Sequence, residues 1–132
     1  MIKEVQIKES DQVIEVVING TDSSRLTAND FHEAWSRIVQ TCNSKQIYNV
    51  ITYLNLSGNI SANTAITLAS NPDTLFGWTK NIQMAIIHSN EKSEPSTSIY
   101  GIMEAIASNR GFEIRNFWDK ESALRWLEVH MN

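Results

Sequence analysis

His88 is the residue best suited by type to acid–base chemistry in this chain, because imidazole changes charge near neutral pH. It ends a compact apolar run, Gln83 to His88, that reads as a buried strand. In an open parallel sheet, ligands gather in the crevice beyond the strand C-termini. The segments expected at that rim carry Thr21, Asp22, Ser57, Asn59, Ser61, Ser89, Trp118 and Asp119. Such a rim is rich in hydroxyl and amide groups and suits hydrogen bonding, but apart from His88 it holds little that titrates near neutrality. A general base at His88 needs Ser57, Ser61 or Asp119 within hydrogen-bond reach. Spacing in the chain puts none of them there, and a strand-terminal histidine is ordinarily structural.

The remaining reactive types point the same way. His32 sits beside Phe31 on a helix, and His130 lies in a last helical turn, where a cation suits the helix dipole. Neither has a partner at metal-ligand spacing, so no metal site is expected. The single cysteine, Cys42, rules out an intramolecular disulfide, and its place on an apolar stripe marks a buried thiol that packs as a small hydrophobe. Leu56-Ser57-Gly58 has the strand-to-helix position of a nucleophile elbow, without the first glycine or an evident base. Walker and dinucleotide-binding loops are absent. Ser96, Thr97 and Ser98 precede a helix and are read as N-capping residues rather than as an anion site.

The elements that must position these groups alternate. Val5 and Ile7, then Val13 to Ile18, read as two strands of an antiparallel hairpin turned at residues 9–12. The second strand is apolar on nearly both faces, which places it inside a sheet. Thr27 and Asp30 resemble a capping arrangement, after which Phe31, Trp35, Ile38, Val39 and Cys42 fall on one helical stripe. A strand follows from Tyr48 to Leu56, then a helix to about Ser70 with Ala65, Leu68 and Ala69 inward, stopped by Pro72. Residues 73–81 read as a short helical turn, where Trp78, beside Phe76, either forms a partly exposed apolar patch or packs as a cover over the core. After the strand ending at His88, a polar loop to Ser96 leads into a helix with Ile99, Met103 and Ile106 in register, closed by Asn109-Arg-Gly111. A last strand ends at Phe117. Asp119 then caps a helix that docks through Ala123, Leu124, Trp126 and Leu127.

The order ββαβαβαβα predicts an α/β domain over residues 1–132, with a mixed sheet of about five strands, mostly parallel with one antiparallel edge strand. The length of 132 residues suffices for a real core. A net charge of −4 with no Lys/Arg cluster argues against nucleic acid. No apolar run is long enough to span a bilayer, no signal-peptide pattern opens the chain, and a reducing cytoplasm is expected.

The C-terminal signature Phe117-Trp118-Asp119, Ala123-Leu124, Trp126-Leu127, together with Asn55-Leu-Ser-Gly58 and the element order, resembles the STAS-like superfamily. In particular it is similar to its small stand-alone bacterial members, typified by anti-sigma-factor antagonists. That resemblance implies a βα superhelix and a non-catalytic regulatory or protein-interaction module without a cofactor. The partner surface would be the segment from Ser57 to Trp78, including Ser61 and Asn63, where a protein partner or a second copy would bind. Phosphorylatable relatives carry an acid at the strand end and a serine at the helix start. Here Asn55 replaces the acid, and Thr64, beside Asn63, is the hydroxyl that falls on the phosphoacceptor position, with Ser57 a weaker candidate. Relatives with lipid-carrier domains imply an alternative, a small apolar ligand held under Phe76 and Trp78 near the strand C-terminal edge.

Overall fold

The computed structural model describes the backbone of residues 2–57, 60–89 and 94–131, and within it the side chains other than those of residues 23, 74, 76, 94–98 and 129–131. The strands are β1 (Ile2–Ser10), β2 (Val13–Gly20), β3 (Asn49–Leu56), β4 (Gln83–His88) and β5 (Glu113–Phe117). The helices are α1 (Ala28–Lys45), α2 (Ala62–Ser70), α3 (Pro72–Phe76), α4 (Glu94–Asn109) and α5 (Lys120–Met131). The five strands lie in sequence order, with β1 antiparallel to β2 and β2 to β5 parallel. The expected α/β architecture and element order are therefore the ones observed.

Sequential parallel order requires each helix to carry the chain back across the sheet before the next strand. The main core shows that α1, α2 and α4 do so over one face. There Phe31, Trp35 and Ile38 of α1, Leu68 of α2 and Met103 of α4 meet Ile14, Val16, Val50, Met84 and Ile86 of the strands. α5 alone covers the other face, where Ala123 and Leu127 pack on Ile51, Ala85 and Ile87. It reaches β3, β4 and β5, and Val13 of β2 packs against the same cluster.

Local chemistry accounts for the boundaries. The hairpin turn is tighter than the four residues expected, because β1 runs to Ser10 and only Asp11 and Gln12, at φ 47° and 68°, make the turn. Two residues at positive φ match the strand twist of a type I′ hairpin. Asp30 Oδ2 accepts from the Thr27 amide at 2.7 Å and from its hydroxyl at 3.1 Å, so the predicted capping pair exists. Pro72 ends α2 and also opens α3, since proline lacks only an N–H that the first helical turn would leave unused. For the same reason Pro95 is tolerated in the first turn of α4, which starts at Glu94 rather than after Ser96. Asp119 caps α5 as predicted, accepting from the Ser122 amide at 2.8 Å.

Candidate functional site

β4 delivers His88 to the C-terminal edge of the sheet on the face covered by helices, where it is 3% exposed. Its Nε2 lies 2.7 Å from Oδ1 of Asn116, which β5 places on the same face. The Asn116 amide nitrogen is occupied by the Tyr100 carbonyl at 3.2 Å and Glu104 Oε1 at 3.3 Å. Its oxygen must therefore face the imidazole, and Nε2–H donates to it. Glu104 Oε1 also accepts the Asn116 backbone N–H at 2.5 Å. The ring of His88 is stacked on Trp118, with centroids 5.1 Å apart, and lies 4.0 Å from that of Tyr100.

This environment holds His88 neutral. Desolvation pushes its pKa below the usual value, and the Asn116 hydrogen bond opposes that only in part. Burial likewise raises Tyr100 above the usual phenol range, with a hydrogen bond from the Ile60 backbone working against it. A buried, neutral imidazole bonded to an amide works as a lock between β4, β5 and α4.

The rim expected from the sequence divides in two. Asn55 is on the opposite face from His88, where its Nδ2 donates to Asn19 Oδ1 at 3.0 Å and Asn19 donates to Glu4 at 2.8 Å. Strand alternation explains this, since Leu54 and Leu56 face the helix layer and Asn55 must face away. Thr21 is half-buried, while Asp22, Ser57 and Ser89 are exposed. Asn59 lies outside the described residues, as do the side chains of Phe76, His130, Ser96, Thr97 and Ser98.

Ser61 is the N-cap of α2 and accepts from the Thr64 amide at 3.2 Å. Thr64 is only 4% exposed, and its hydroxyl donates to the Leu26 carbonyl at 2.7 Å while accepting from Ser61 Oγ at 3.0 Å. It is thus a core hydroxyl already used in packing α2, not one standing free at a helix start. For Trp78 the core reading is the one observed, not the surface patch. It is 2% exposed and belongs to the main core, so it contributes no surface patch. Gly77, at φ 73°, closes α3 in the left-handed conformation and turns the following tryptophan inward. Cys42 is fully buried and desolvation pushes its thiol up to about 11, as an unreactive core thiol requires.

α2 and α4 pack side by side, and each presents one large exposed apolar side chain, Ile66 at 42% and Ile102 at 49%. Asn63 and Gly101 are exposed beside them, with Thr67 and Ser70 half-buried. The hydroxyls of Thr67 and Ser70 are turned back onto the Asn63 and Ile66 carbonyls. The stretches of chain that carry Ile66 and Ile102 are free of charged residues. The chain carries no charged side chain from Gln46 to Pro72, nor from Pro95 to Met103, a signal that the motif-based reading passed over. Asn116, Glu104 and Tyr100 were also missed, because nothing in their local spacing ties them to His88.

A separate groove of about 490 Å3 runs between α5 and the hairpin, lined by Val13, Ile51, Leu124 and Leu127 among others. Among the described residues no group of three or more His, Cys, Asp or Glu side chains is arranged to hold a metal, and no helix is long and apolar enough to cross a membrane. No protein-family model matches the chain, and no curated protein matches it either.

Proposed function

We propose that this chain is a non-catalytic protein-interaction module of the STAS-like, anti-sigma-factor antagonist-like type, acting in the bacterial cytoplasm through the outer face of α2 and the neighbouring part of α4 around Ile102. The observation that carries this reading is the exposure of Ile66 and Ile102 on two packed helices, each within a stretch of chain free of charged residues. Depletion of charge with an apolar centre is the compositional mark of the core of a protein interface. The neutral, amide-bonded His88 supports a structural rather than a catalytic role for the one imidazole at the sheet edge. The buried Thr64 favours constitutive recognition over a phosphorylation switch at that hydroxyl.

The test is photo-crosslinking in the source cells from a reactive amino acid at position 66, with Glu121 on α5 as the control position. The reading expects one protein adduct at position 66, absent at position 121 and abolished by Ile102→Asp in a chain that still melts normally. Equal labelling at both positions would count against it. A small apolar molecule found on the purified protein by native mass spectrometry would favour the alternative of a ligand-binding domain.

A further inference from the structure

β1 forms one edge of the sheet over nine residues, against five for β5 at the other edge. A long edge strand exposes backbone N–H and C=O groups that its own sheet does not use, and charge is the usual means of blunting it. The charges on β1 follow a definite order. Lys3-Glu4 and Lys8-Glu9 bracket Val5-Gln6-Ile7. Two copies of β1 laid antiparallel, with Gln6 opposite Gln6, set Glu4 against Lys8 and Lys3 against Glu9, each twice by symmetry. A slip of one residue sets Lys3 against Lys8 or Glu4 against Glu9, and a slip of two leaves Glu4 and Lys8 without charged partners. Among the registers that overlap most of the strand, only the first makes the edge complementary to itself.

Side chains already in place extend this match. On the face opposite α1, Asn55 donates to Asn19 and Asn19 to Glu4, a ladder across β3, β2 and β1. Further along the same face, Lys8 pairs with Glu15 of β2 at 3.4 Å. Joining Glu4 of one copy to Lys8 of the next links the two ladders into one row, Asn55, Asn19, Glu4, Lys8, Glu15. On the helix side, half-buried Val5 meets half-buried Ile7 of the other copy. Lys3 stands at a bulge between Ile2 and Glu4, so the pairing is anchored from Glu4 to Lys8, with Lys3 and Glu9 at its ends.

We infer that β1 is a self-recognition edge: two copies of this chain pair β1 with β1 about a twofold axis at Gln6, fusing two five-stranded sheets into one. This edge is separate from the α2 and α4 face, so self-pairing and partner binding can coexist in one molecule.

Sedimentation from low-micromolar to near-millimolar protein is the test. A dimer is expected, weakened about tenfold by Glu4→Lys or by Lys8→Glu, since each change sets like charges opposite twice. The double variant Glu4→Lys with Lys8→Glu restores pairing because it inverts both members of each pair. Gln6→Cys gives a disulfide-linked dimer under mild oxidation, as Cα atoms opposite one another in antiparallel strands lie within disulfide reach. Glu4→Cys alone does not, and the native Cys42 is too buried to contribute. A monomer throughout, a dimer indifferent to both charge reversals and without the Gln6→Cys crosslink, or a loss that the double variant fails to rescue would each overturn the inference.

Discussion

His88 and Asn116 stand 28 residues apart in the chain and share a 2.7 Å hydrogen bond inside the C-terminal edge of the sheet. Parallel pairing of β4 with β5 brings them together, setting Ile86 beside Asn116 and His88 just beyond. The amide then satisfies the imidazole, the Tyr100 carbonyl and Glu104 at once. A buried network of this kind is stabilising only while each member keeps its partner. Asn116→Ala is therefore expected to cost about 2–3 kcal/mol by urea denaturation, because it strands buried groups on both sides.

Acid should weaken the fold through the same residue. The folded state holds His88 neutral with a lowered pKa, whereas the unfolded chain protonates it near the usual 6.5. Below that value the unfolded state binds more protons, so stability falls as pH drops and is fully present above it. The expected result is a declining melting temperature from about pH 7 to pH 5, with a smaller decline over that window in His88→Gln.

Thr64 separates packing from phosphorylation. Its hydroxyl is buried and donates to Leu26, 38 residues away. Thr64→Val should cost about 1–2 kcal/mol by leaving that carbonyl unpaired. Thr64→Glu should cost more than about 3 kcal/mol, since it buries a charge without a partner. A phosphomimetic that folds as stably as the parent would place this hydroxyl at the surface and reopen the switch reading.

Thr52 is the reverse case. It is fully buried in β3, and its Oγ1 has no hydrogen-bond partner among the described residues. Thr52→Val keeps the shape and removes the unsatisfied group, so a gain of about 1 kcal/mol is expected in chemical denaturation.

The hairpin turn offers a second gain. Asp11 and Gln12 both adopt positive φ, which suits Asn-Gly far better. Replacing the pair by Asn-Gly should raise stability by about 0.5–1 kcal/mol. No gain in melting temperature would mean that the turn is not held in the type I′ form.

Much of the architecture was legible in the chain. The stripe Phe31, Trp35, Ile38, Val39 and Cys42 repeats at helical spacing within one segment, and all five side chains are buried in α1. Thr27 and Asp119 announced helix starts because capping is settled within three residues. The hairpin of β1 and β2 was recognised, although its turn was read two residues too long. The candidate site was far less legible. The chain leaves Trp78 between surface patch and core cover because its neighbours are irregular, and the resemblance alone sets Thr64 at a phosphoacceptor position, without the distant Leu26 carbonyl that its buried hydroxyl reaches.

By itself, then, the sequence determined which segments are strands and helices, their order, and the mostly parallel sheet that this order requires. Those features rest on periodicity and caps, which act between residues at most a few positions apart. Tertiary structure decided the rest: that Asn55 turns away from the face bearing His88, that Asn116 and Glu104 complete the His88 lock, that Thr64 reaches Leu26, and that Ile66 and Ile102 stay exposed on two helices that pack together. Each depends on which distant segments pack together. Burial and hydrogen bonding are properties of that packing and are not written in local spacing.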